Sequence, residues 1–141
     1  MAFAGLNYLA IFIAGIASFM FGGAWYGLLS KPWMNAAGLD EETLKASSRR
    51  GGTTWLMIVT FLGQLLMSWV LAGLIGHLGP DQVTVRNGII SALFVWAGFV
   101  LTTTAVNHGF QRRLGTLTLI DLGHWLGVLL IQGAIIGAFG T

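Results

Sequence analysis

Four runs of this chain, at about 6–29, 54–78, 88–106 and 117–139, contain one acidic or basic side chain other than histidine among them, Asp121. A hydrocarbon layer of ~30 Å takes about 20 residues of helix at ~1.5 Å each, and every run is near that length. Runs this long and this apolar read as membrane-spanning helices. The expected fold is therefore all-α: a single integral membrane domain over 1–141, built as a four-helix bundle. Composition agrees, since 55% hydrophobic against 9% charged residues would leave a soluble domain of this size short of polar surface. The first run has no basic residue ahead of it and an apolar core too long for a secretory signal, which makes it an uncleaved span.

Orientation follows from the basic residues, because short cytoplasmic connections carry the excess of Lys and Arg. Lys31, Lys45, Arg49 and Arg50 lie in the first connection and Arg112 and Arg113 in the third, whereas the second holds only Arg86. Both termini are then expected on the periplasmic side of a bacterial inner membrane. Trp25, Tyr26, Trp33 and Trp55 gather at the same side, as an interfacial aromatic belt does. The basic balance thus reads as topology and contact with the lipid bilayer, and no nucleic-acid partner is needed. The chain has no cysteine, which removes disulfides, thiolate metal sites and cysteine nucleophiles.

The first connection has order of its own. Asp40 is placed to cap a short helix with Glu41 and Glu42 in its first turn and Lys45 and Arg49 toward its end, and Leu39 can staple onto Leu44. This predicts a short interfacial helix. RRGGTTWLM at 49–57 aligns with RRLGTLTLI at 112–120; a duplicated two-helix hairpin accounts for it, and so does the shared need for basic residues, a turn and a helix start.

Polar residues inside the spans are functional suspects because lipid penalises them. Asp121 lies about 8 Å and His124 about 12 Å from the basic end of the fourth span, at ~1.5 Å per residue. With Val128 and Gln132 they fall within an arc of about 80°, so one face of this helix is polar and should point inward. A carboxylate at a span centre costs roughly 2.5–3.5 kcal/mol, less near the interface, and partners offset it. Tyr26, Asn107 and His124 are the candidate donors to Asp121. Gln64 and Gln132 read as amides bonding between helices. His108 sits at the interface and His124 deeper, so they do not flank one haem iron; no metal set and no cofactor motif is assigned. Ser18, Thr102, Thr103 and Thr104 have no evident base at their depth, and no catalytic residue is assigned.

Glycines four apart let helix backbones approach. Gly23 and Gly27 form such a pair on the first span, and Gly123 with Gly127 and Gly133 with Gly137 form two on the fourth. Packing within one bundle can use all three. Two pairs at different azimuths on one helix also point to contact with another subunit, hence to a homo-oligomer or a larger membrane complex.

Asn7, Tyr8 and Ala10, the WYG of 25–27 with Trp33 after it, Gly98 and Phe99, Asn107, and D-x-G-H at 121–124 before a glycine-rich end together resemble a bacterial membrane family, domain of unknown function 1761. The resemblance covers nearly the whole chain and implies a small four-span membrane protein with no established activity. The leading expectation is a non-enzymatic helical subunit that self-associates or accompanies a larger complex. The alternative is a small proton-linked transporter or channel using Asp121 and His124.

Overall fold

The computed structural model describes residues 2–113 and 115–141, and its helices follow the apolar runs. Helix α1 is Tyr8–Leu28, started by Asn7, whose side chain accepts from the Ala10 amide at 3.1 Å. Two short helices come next, α2 at Ser30–Ala37 and α3 at Glu41–Arg49. Helix α4 is Gly52–Gly76. The third span runs Val85–Phe110, as α5 (Val85–Val95), a π-helical stretch (Trp96–Leu101) and α6 (Thr102–Phe110). Helix α7 is Thr116–Phe139. Four helices are thus long and apolar enough to cross a membrane, and no strand occurs among the described residues.

The third span outruns its expected bounds of 88–106 at both ends. Thr84 caps it early by accepting from the Asn87 amide, and the polar Asn107 and His108 stay helical to Phe110. In the first connection α3 forms as its capping pattern predicts. Asp40 accepts from the Thr43 amide at 2.7 Å, which holds its carboxyl below the usual range, and Glu41 pairs with Lys45 one turn on at 2.7 Å. Helix α2 has no counterpart among the expected elements. It ends at Gly38, whose φ of 70° turns the chain left-handed so that the Leu39 amide reaches back to Met34 O at 3.0 Å.

Helix α7 is the hub: α1 and α5 both lie along it, and α4 lies mainly against α1. Where α5 crosses α7 the backbones touch, because a methyl group added at Gly88 or Gly133 would collide with the other glycine's backbone, and one at Gly137 with the Thr84 carbonyl. Gly123 and Gly127 receive the rings of Trp25 and Phe21 from α1. Both glycine pairs of α7 are therefore occupied within one chain, so they supply no spare face for a second subunit. Gly23 and Gly27 meet nothing within 4 Å among the described residues; the close approaches of α1 are made instead at Gly15, against Leu65, and at Gly22, against His124.

The apolar core, including Ile11, Leu71, Ile75 and Ile136, lies mainly in the half of the bundle remote from the basic connections. Only 6% of the third span's most apolar window is buried, against 44% for α7, so Phe94, Phe99 and Phe110 are left as outward surface suited to lipid. The buried polar side chains occupy the remaining interior, between that core and the basic end.

Candidate functional site

Asp121 is positioned by α7 at the basic end of the bundle, with its side chain 21% exposed. The Tyr26 hydroxyl, from α1, donates to Asp121 Oδ1 at 2.8 Å. Tyr26 is itself backed edge-on by Trp33 of α2, with ring centroids 5.9 Å apart. On the other carboxylate oxygen, His108 Nε2 of α6 stands 3.9 Å from Oδ2, within ion-pair reach and too long for a direct hydrogen bond. The second ring nitrogen, Nδ1, is 2.9 Å from Thr118 Oγ1, and that hydroxyl is also 3.2 Å from Arg113 O.

A threonine hydroxyl has one proton to give. If Thr118 gives it to Arg113 O, His108 Nδ1 must be the donor, and Nε2 then turns a lone pair toward Asp121 unless it too is protonated. If Thr118 gives it to Nδ1, the neutral ring carries its proton on Nε2 and points it at the carboxylate. Gaining one proton on the imidazole lets both ring nitrogens donate at once. The Tyr26, Asp121, His108 and Thr118 arrangement can therefore accommodate either a neutral or a charged histidine.

Asn107, expected beside Asp121, is exposed and outside this arrangement. The π-helical stretch explains the exchange. A π turn inserts about one extra residue, which rotates the remainder of the span by roughly 100° relative to an unbroken α-helix. The azimuth that Asn107 would have held passes to His108. The same stretch places Trp96 so that its indole donates to Leu122 O at 2.9 Å, while Trp25 donates to Ile120 O at 3.0 Å. Two indoles from different spans thus grip the α7 backbone on either side of Asp121. Trp25 reads from its place at a span end as a belt residue; the signal that marks Trp96 is its mid-span position, since a buried indole N–H needs a partner.

His124 makes no hydrogen bond to Asp121. Its ring lies among Phe21, Tyr26 and Trp125, with centroids 6.3, 4.8 and 4.6 Å away, and its Nε2 faces Gly22, where an added Cβ would stand only 2.7 Å off. Deeper still, the Gln132 amide donates to Ser18 Oγ and to Gln64 O, each at 3.0 Å, joining α7 to α1 and α4. Ser68 adds a tie from α4 to Ile11 O at 2.9 Å. Among the described residues no three His, Asp or Glu side chains cluster as metal ligands do.

A family model described as Protein of unknown function (DUF1761) matches residues 9–137, which include all of these groups. No curated protein and no solved structure matches the chain.

Proposed function

The chain belongs to the family described as Protein of unknown function (DUF1761), and from that premise we propose that it is a non-enzymatic inner-membrane protein whose Asp121 network fastens three spans at the cytoplasmic face. The observation that carries this reading is the Tyr26 to Asp121 bond at 2.8 Å with His108 on the opposite carboxylate oxygen. One carboxylate draws α1 and α6 onto α7, where the third span is otherwise lightly held. The hydroxyls Ser18, Thr102 and Thr103 each donate back to a carbonyl of their own helix, which supports a structural rather than a nucleophilic role. Such a bundle can serve alone, as a homo-oligomer, or beside a larger membrane complex. The lipid-facing third span and the open Gly23 and Gly27 are the surfaces free for that association.

Proton-linked transport is the second reading. It is favoured by the partly exposed His108 and Asp121 pair, which has room for one more proton. Proteoliposomes carrying the wild type and Asp121→Asn separate the two. Under the structural reading, neither supports more proton flux than empty vesicles under a pH gradient. Flux in the wild type that disappears in a folded Asp121→Asn protein would install transport in its place.

The proposed topology puts both termini in the periplasm, on the strength of six basic residues lying in the first and third connections and one in the second. A reporter active only in the cytoplasm should be silent when fused after Thr141 and active when inserted at Gly51. Activity at Thr141 would reject the orientation.

A further inference from the structure

Four buried polar atoms inside the bundle have no partner among the described residues: Gln64 Nε2 and Oε1, Gln132 Oε1 and His124 Nδ1. Their residues are 1%, 0% and 3% exposed, and each unpaired buried group of this kind costs ~1–3 kcal/mol. The nearby serines have no proton to spare, because Ser18 donates to Gly15 O and Ser68 to Ile11 O. Gly22 lets two of these side chains come close together: a Cβ there would lie 2.7 Å from His124 Nε2 and 3.7 Å from Gln64 Nε2.

The chemistry of this set selects its occupant. Amide and imidazole groups offer both donors and acceptors and, with a neutral ring, carry no formal charge, so an ion would find no counter-charge there. A small neutral molecule that both donates and accepts fits, and a buried water does so through about three hydrogen bonds. The apolar residues Ile11, Leu71, Ile75 and Ile136 close one end. At the other end His108 and Asp121 are 16% and 21% exposed.

We propose that Gln64, His124 and Gln132, which meet beside Gly22, form an internal water-binding site filled from the Asp121 end of the bundle. It is independent of whether Asp121 is a structural acceptor or a titrating group. Water would reach mid-bundle from one face and stop at those apolar residues, so the site hydrates His124 without opening a path across the membrane.

Water-edited solid-state NMR on the full chain in bilayers, with labelled glutamine and histidine, tests it. Gln82 and Gln111 are exposed and serve as positive controls. Magnetisation transfer from water should reach the Gln64 and Gln132 side chains and the His124 ring, and fail to reach Ile75. In Gln64→Met, which removes two of the four atoms at similar volume, transfer to Gln132 and His124 should fall at least severalfold while the protein stays folded. Transfer to the two exposed glutamines with none to Gln64 or Gln132 in the wild type would overturn the proposal. The filling direction has its own measurement: in this cysteine-free chain, Ser18→Cys in sealed vesicles should react with silver ion added on the Asp121 side. Reaction only from the opposite side, or from neither, would overturn the filling route.

Discussion

Gly133→Leu should abolish stable folding in detergent, while Gly23→Leu on the outer face of α1 should leave the melting temperature nearly unchanged. At Gly133 the nearest obstacles to a side chain are the backbone carbonyl of Gly88 and the Ala92 methyl. Flexible side chains can swing away from an intruding group; a carbonyl held in a helix cannot. Overpacking a core usually costs 1–3 kcal/mol, and here α5 and α7 must separate along their shared contact, so the loss should exceed ~3 kcal/mol. Gly23 meets nothing within 4 Å among the described residues, and a leucine there gains helix propensity of up to ~1 kcal/mol. The measurement is thermal unfolding of both variants in one detergent, followed by native mass spectrometry of whatever remains folded. Equal melting of Gly133→Leu and wild type would mean that α5 and α7 do not meet through these glycines. A smaller oligomer for Gly23→Leu at unchanged melting would assign α1 to an interface between copies.

Asp121→Leu should destabilise the bundle by ~1–3 kcal/mol, because it leaves the Tyr26 hydroxyl without its acceptor in a half-buried position. Asp121→Asn keeps an acceptor oxygen and nearly the same volume while removing a charge that lipid penalises, so its melting should stay close to wild type. The difference between the two substitutions isolates the acceptor from the charge. Equal, large losses for Asn and Leu would sink the acceptor account and make the charge itself the essential feature. Thermal unfolding of the two variants and of Tyr26→Phe in one detergent decides it, since Tyr26→Phe removes the same hydrogen bond from the other side.

The number of spans and their approximate limits were legible in the chain because the solvent enforces them. Lipid demands about twenty apolar residues per crossing, and length and hydropathy can be counted along a line. The Asp40 cap was legible for a similar reason, since it depends on residues three apart. The inward position of Val128, Gln132 and His124 follows from helical spacing alone. What each inward group meets was another matter. Asn107 and His108 are neighbours in sequence, and a single π turn decides which of them faces Asp121. The glycine pairs show the same limit. Their spacing marks surfaces where backbones can approach, but Gly23 and Gly27 look outward while Gly22, one residue away, receives His124. One residue of register is roughly 100° of azimuth on a helix. Tertiary structure therefore decided which candidate each inward group meets across helices, as with Tyr26 among the three donors open to Asp121, because that choice depends on how neighbouring helices are rotated against one another, and only the packed arrangement of all four spans fixes that rotation.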